Sequence, residues 1–383
     1  MNQTEQVLLQ AIQKSLWNTD ITFPEDTDWN AVLKEAEDQA VLGLVIGVAP
    51  EKTQKDWRSK ASAGTAHFVR ILHYQEQLYK LLKENDIPMA ILKGTAAAIY
   101  YPNPAQRAMG DIDFLIQPKD FDRAKAILEQ NGYSIKDDPR YLRHIDVHKD
   151  SISFEMHRFF NDNGFDVDQF ILPEISNAVN VNLFGSSFPI LPRLLNGLVL
   201  LGHMAGHMQT GLGLRQILDW ATFVDKKLDD ETWENVFRKA AKESGMETIA
   251  VTVTKLCQDY LGLTRRITWC NHADQGTVDL LLDSILSSGN FGYKQGRGRN
   301  VANTITKLRE KGFFRYLQTA GEFNWKAYHK HKWLKPFAWL YQIGRYAKQG
   351  FQAKRGGQLS EDIARGRQRS ELLKELQIGQ SKK

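Results

Sequence analysis

The sequence is short of the features that would place it in several common classes. It contains two cysteines in 383 residues, Cys257 and Cys270, and their spacing matches no zinc pattern, so neither a disulfide framework nor a cysteine-held metal is expected to organise the fold. Both read as core residues of a protein from a reducing compartment. No apolar run approaches the roughly 20 residues that a membrane-spanning helix needs. The opening MNQTEQVLLQAIQKSLW lacks the basic-then-apolar plan of a secretory leader, and the expected location is the cytoplasm. Internal repeats and long low-complexity segments are also lacking. Charge of one sign is scarce over most of the chain. The net charge is +5, and the segment from Arg345 onward contributes ten Lys/Arg against four Asp/Glu, leaving −1 for residues 1–344. A near-neutral body argues against a nucleic-acid enzyme, while the basic tail suits a solvated terminal helix, a nucleic acid, an anionic membrane or an acidic partner.

What is present is ordinary globular material: 383 residues, long enough for two or three domains, with 42% apolar residues to build their cores. Helical periodicity marks residues 4–18, 29–47 and 62–84; in the last, Phe68, Ile71, Leu72, Leu78, Leu81 and Leu82 fall on one stripe. IPMAIL (87–92) reads as a short buried strand entering Gly94 and Thr95, with a helix through AAAIYY. DIDFLI (111–116) alternates with period two, and DFDRAKAILEQNGY (120–133) forms a helix ended by Asn131-Gly132. YLRHIDVH (141–148) and SISFEMH (151–157), separated only by Lys149 and Asp150, predict an antiparallel hairpin. Beyond about residue 170 the pattern is helical, apart from extended pieces at VNVNLFG and SFPIL. The expected architecture is α+β: a small mixed sheet with flanking helices, N-terminal helices, and a C-terminal helical bundle. The expected units are a helical region to residue 85, a core over 86–170, a helical region over 171–344 and a basic tail from 345. QAKRGGQLS, near residue 355, is the linker candidate.

ILKGTAAAIYYPNPAQRAMGDIDFLI (91–116) sets two aspartates one residue apart in an apolar strand, where charges persist only if paired or holding a metal. Residues two apart in a strand point the same way, roughly 7 Å between Cα atoms, so Asp111 and Asp113 share a face. In the second hairpin strand Ser153, Glu155 and His157 share the face opposite Ile152, Phe154 and Met156. Three carboxylates converging on a sheet repel one another unless cations are present, and hard oxygen donors suit Mg²⁺ or Mn²⁺. Two-metal phosphoryl transfer uses such a site. A glycine between strand and helix lets backbone N–H groups approach a phosphate, with the Thr95 hydroxyl as a further donor and Lys93 and Arg107 as neutralising charges. The same groups also fit a purely structural ion-pair network.

With those residues in place, the chain resembles the DNA polymerase β-like nucleotidyltransferase superfamily, marked by a Gly-Ser or Gly-Gly turn, then Asp-x-Asp, then a carboxylate on a later strand. It is most similar to a bacterial subgroup known only as uncharacterised nucleotidyltransferases, through LKG (92–94), RAMGDIDFLI from Arg107, EMH at Glu155–His157, HMAGH at His203–His207 and LRQILD at Leu214–Asp219. The resemblance covers roughly residues 60–225. It implies metal-dependent transfer of a nucleoside monophosphate, AMP being the most plausible, from an NTP to a small-molecule or protein acceptor with release of pyrophosphate. By motif match Asp111, Asp113 and Glu155 hold Mg²⁺ or Mn²⁺, Glu155 serves as a base, and Lys93, Gly94, Thr95, Arg107 and Gly110 meet the nucleotide. Thr95 stands where Ser or Gly is usual, and fifteen residues separate it from Asp111, more than the superfamily commonly has.

Rival readings are a non-catalytic nucleotide-binding or scaffold protein and an RNA-directed terminal transferase. His203 and His207 lie one helical turn apart, a spacing open to zinc, to packing within a bundle, or to lining a nucleotide or acceptor pocket together with His157, Arg215 and Asp219. Gly202 and Gly206 suggest close approach of another backbone. His144, Asp146 and His148 fit an exposed hairpin face. Residues 313–351, dense in aromatic and basic side chains, suit packing, a membrane surface or base stacking.

Overall fold

The computed structural model describes residues 1–138, 142–160, 165–192, 194–355 and 359–378. Seven strands form one mixed sheet: β1 (Met89–Leu92), β2 (Ile112–Ile116), β3 (Ser134–Lys136), β4 (His144–Lys149), β5 (Ile152–His157), β6 (Val179–Leu183) and β7 (Ser186–Ile190). Their spatial order is β3-β4-β5-β2-β1-β7-β6, which puts β2 in the middle. β1 and β2 are antiparallel, β2 and β5 parallel, β1 and β7 parallel. The expected hairpin is the antiparallel pair β4–β5.

The two faces of this sheet differ. Ile91, Ile112, Phe114, Ile116, Phe154 and Met156 point to one side, where they are covered by Phe68, Ile71, Leu72, Leu78 and Leu82 of the long helix Glu51–Glu84 and by Phe121, Ala124 and Leu128 of the helix Phe121–Gln130. Ala90, Leu92 and Leu115 point to the other side and join a larger core built by N- and C-terminal helices. Toward one end of the central strands that second face turns polar.

Local chemistry explains several of the helix limits. A reciprocal cap between Asn2 and Glu5 starts the helix Gln3–Trp17, and the left-handed Asn18 ends it. The periodic stretch 29–47 breaks at Ala40, which takes φ +57°, into Trp29–Asp38 and Leu42–Val45. The long helix begins at Glu51 rather than near 62. Its first three turns are largely solvated, so they bury no apolar stripe and give no periodic signal. β6 and β7, expected only as extended pieces beyond the core, hydrogen-bond into the same sheet.

The C-terminal segment is divided between packing and exposure. The helices Phe313–Asn324 and Ala338–Arg355 pack closely, with Gly321 against the Ala338 backbone and Trp325 stacked on Tyr341 at 5.2 Å. Phe314 and Trp333 nevertheless remain 71% exposed, with Phe313, Phe337 and Leu340 also in solvent. Within the basic tail, the helix Leu359–Glu375 and the turn after it bury Leu372, Leu373, Leu376 and Ile378 in the larger core. Arg369 is buried there and donates to Asn303 Oδ1 at 2.6 Å. The middle of the linker candidate, 356–358, lies outside the described residues, as does 141 at the start of the first hairpin stretch. Among the described residues, no helix is long and apolar enough to cross a membrane.

Candidate active site

The parallel register of β2 on β5 sets Asp113 opposite Glu155, and the antiparallel register of β5 on β4 sets His157 opposite His144. These polar residues form one wall of a cavity of about 790 Å³, with Asp111 at its edge and Gly202, His203, Gly206, His207 and Arg215 on the opposite, helical wall. Asp113 is 5% exposed. Lys93 Nζ lies 2.7 Å from its Oδ1, and His157 Nε2 lies 3.1 Å from the same oxygen and 3.3 Å from Glu155 Oε2. Lys93 takes φ +50°, a strained conformation for a side chain that ends β1 and turns its ammonium onto β2.

The electrostatics follow from this crowding. Burial alone would raise the Asp113 carboxyl, but Lys93 and His157 hold it well below the usual carboxylate range. Among the described residues Asp111 has no such hydrogen-bonded partner: burial and the neighbouring Asp113 and Glu155 outweigh the pull of Lys93 and push it up to about 6. His157 is raised because its hydrogen bonds to Asp113 and Glu155 outweigh its desolvation. Ligand atoms of Asp113, Glu155 and His157 lie within 4.8 Å of one another, and so do those of His144, Asp146 and Glu155. Two such groups sharing Glu155, beside an aspartate destabilised by negative charge, fit a divalent cation. Asp111 faces the same cavity without belonging to either group. His144 and Asp146, expected on an exposed hairpin face, are half-buried beside Glu155, whereas His148 is exposed and pairs with Ser153 Oγ at 3.2 Å.

Two expected nucleotide contacts are engaged elsewhere. Thr95 is 1% exposed, and its hydroxyl donates to Gln75 Oε1 at 2.6 Å, so it points into the long helix and away from the cavity. Arg107 borders the cavity, but its Nε and Nη2 both donate to Asp219 at 2.7 Å, and Tyr101 donates to the same carboxylate at 2.8 Å. This buried, bidentate pair fastens the loop before β2 to the helix Leu214–Lys227. Asp219 therefore anchors Arg107 and does not line the cavity. Gly94, at φ +40°, and Gly110 do border it.

The helical wall is of another kind. His203 and His207 of the helix Leu195–Met208 share a 2.8 Å Nε2–Nε2 hydrogen bond. Burial and the positive charges of Lys93 and Arg215 push His207 down to about 3 and His203 well below its ordinary value, so both imidazoles are neutral at pH 7. Among the described residues, no third metal-ligating side chain joins them. Gly202 makes room for a ring rather than a backbone: a Cβ there would lie 2.8 Å from Phe160 Cε1. Arg215 is 9% exposed; its Nη1 donates to the Ala108 carbonyl at 3.3 Å, and its guanidinium carbon lies 5.1 Å from the Phe291 ring centre.

Sequence reasoning missed Gln75, Phe291 and the Tyr101 contribution to Asp219. Gln75 had a signal, a lone amide between Leu72 and Leu78 on the apolar stripe. Phe291 had none, because it approaches from a 3-10 segment, Asn290–Gly298, far along the chain.

The model of a family described as "Uncharacterised nucleotidyltransferase" matches residues 25–262. No curated protein matches the sequence. Among solved structures, the crystal structure of an antigenic nucleotidyltransferase-like protein from Paracoccidioides brasiliensis is 14% identical and covers 52% of this chain and 94% of that one, with a TM-score of 0.35, a likeness too slight to bear on function.

Proposed function

The chain belongs to this family of uncharacterised nucleotidyltransferases, and from that premise we propose that it moves a nucleoside monophosphate, AMP in the first instance, from an NTP to a hydroxyl or phosphate of a small molecule or protein. The observation that carries this reading is the β2–β5 register, which sets Asp113 beside Glu155 on one face while Asp111 opens into the same cavity. An acceptor oxygen bonds to the α-phosphorus, the bond from that phosphorus to the oxygen bridging to the β-phosphate breaks, and pyrophosphate leaves with the bonding electrons. Glu155 takes the acceptor's proton. Lys93 and His157 keep Asp113 ionised, so its carboxylate is available without a change of protonation. Gly94 and Gly110 leave the cavity edge free of side chains where the donor would lie. A divalent cation, Mg²⁺ or Mn²⁺, held by Asp113 and Glu155, with Asp111 facing the same cavity to offset its charge, would activate the acceptor oxygen and offset charge on the phosphorus.

Pyrophosphate release should be measured with ATP, CTP, GTP and UTP and either ion, offering self-protein, metabolites and RNA as acceptors, for wild type and for the double variant Asp111→Asn, Asp113→Asn. Metal-dependent release lost in the variant is the expected outcome. NTP binding without turnover for any acceptor would favour a binding or scaffold protein, and turnover with RNA alone a terminal transferase. The two buried free thiols, Cys257 and Cys270, support a cytoplasmic location. Exposed Phe314 and Trp333, on a segment (313–348) with seven Lys/Arg and one Glu, support peripheral contact with an anionic lipid surface. Sedimentation with anionic vesicles, lost on Trp333→Ser, is the check.

A further inference from the structure

Of the four Lys and Arg side chains lining the cavity, Lys93, Arg107 and Arg215 can be compared directly. Lys93 faces Asp113 at 2.7 Å and Arg107 faces Asp219 at 2.7 Å, so each has an internal counter-charge. Arg215 has no carboxylate within salt-bridge distance among the described residues, and its buried Nε has no acceptor. Its Nη1 contact is a single carbonyl at 3.3 Å. A guanidinium that is nine-tenths buried and only partly hydrogen-bonded is out of place in a folded protein unless a ligand completes it. Burial and the neighbouring Arg107 push the guanidinium below its ordinary range, and burial, helped by the positive charges of Lys93 and Arg215, keeps His203 and His207 neutral.

From this geometry we propose that Arg215 is a phosphate receptor: its planar fork, backed by Phe291 and flanked by the neutral His203–His207 pair, takes the β,γ-phosphate end of the donor nucleotide. This assignment rests on the nucleotidyl-transfer reading of the cavity and moves the anion contact from Thr95 and Arg107 to a residue about 100 positions later. The ligand class is a diphosphate or triphosphate oxyanion, for which a bidentate arginine is suited. A phosphate monoester on the acceptor offers the same chemistry, and the test separates the two sources.

Full-length wild type, Arg215→Met and Arg215→Lys should be titrated calorimetrically with inorganic pyrophosphate, with AMP and with a sugar phosphate, and melted with and without pyrophosphate. The Met variant should lose about 10- to 100-fold in pyrophosphate affinity, the Lys variant less, and AMP affinity should be unchanged. Pyrophosphate should raise the Tm of wild type and leave that of the Met variant in place. Because the buried charge has no internal partner, the ligand-free Met variant should melt no lower than wild type. A Tm that falls in both variants without ligand would make Arg215 structural and overturn the proposal. So would equal pyrophosphate affinity in all three proteins, and loss confined to the sugar phosphate would assign the residue to the acceptor and overturn the donor assignment. The readout needs no turnover. Arg215-dependent pyrophosphate binding without nucleotide transfer would sink the activity and keep the receptor, and turnover indifferent to Arg215 would do the reverse.

Discussion

The two walls of the cavity treat buried charge in opposite ways. On the sheet wall the carboxylate of Asp113 meets the ammonium of Lys93 and the imidazole of His157, Glu155 shares that imidazole, and what is left over among the described residues is negative, at Asp111. On the helical wall the imidazoles are neutral, and what is left over is the positive guanidinium of Arg215. A cavity whose facing sides carry unmatched charge of opposite sign suits a ligand that is cationic at one end and anionic at the other, and a metal-bound polyphosphate has that character. Had each wall been internally paired, the cavity would read as a structural network.

Several changes break or sharpen this contrast. The largest effect belongs to the sheet wall: Asp113→Asn should lower nucleotidyl transfer by about 10³-fold, the upper range for removing one preorganised charged group, measured as pyrophosphate release. Next is the anchor between the walls. Arg107→Met leaves Asp219 buried without its counter-charge and should cost about 3–5 kcal/mol of stability in urea unfolding, with more effect on folding than on KM for NTP in whatever folds.

Asp111→Asn tests the surplus negative charge directly. The Asp111 carboxyl is raised from 3.8 to about 6 in the folded protein, so between those values the folded state binds more protons than the unfolded one. The contribution of Asp111 to stability therefore falls as pH rises through that window. Without metal, Asp111→Asn should become more stable than wild type above pH 6, by at most about 3 kcal/mol, and added Mg²⁺ should narrow the gap. Denaturant midpoints at pH 4 and pH 7.5 decide it. Thr95→Val removes a buried hydrogen bond to Gln75 that lies off the cavity, so it should cost about 1–2 kcal/mol and leave KM for NTP unchanged in steady-state assays. Smallest is Phe314→Ser, expected within about 0.5 kcal/mol of wild type in thermal melts.

The sheet wall was legible in the sequence because it is local. Alternation in DIDFLI and SISFEMH fixes which side chains share a face, and two strands of matching pattern bring Asp113 and Glu155 together by register alone. The hairpin, the buried strand before Gly94 and the apolar stripe of the long helix follow from the same periodicities. The helical wall was less legible. LRQILD says nothing about whether Arg215 or Arg107 takes Asp219, since that choice depends on a tertiary contact spanning 112 positions. The chain position of Thr95 fits a phosphate donor, but its hydroxyl is turned away by the Gln75 amide on another helix. β3, three residues at a sheet edge, is too short for a periodic signal.

The central place of β2 also bears on how the protein comes to exist. Its amides are enclosed by β1 on one side and β5 on the other, so they should exchange with solvent only on global opening, unlike those of the edge strands β3 and β6. The sheet carboxylates lie within one short span of chain. Their counterpart does not: Arg107 must wait for Asp219, and Arg215 arrives with it. A nascent chain emerging from its N-terminal end can thus form the negative half of the cavity well before the positive half has been synthesised. No partly made chain would hold both walls, and premature release would leave a carboxylate-bearing sheet with no guanidinium wall to face it.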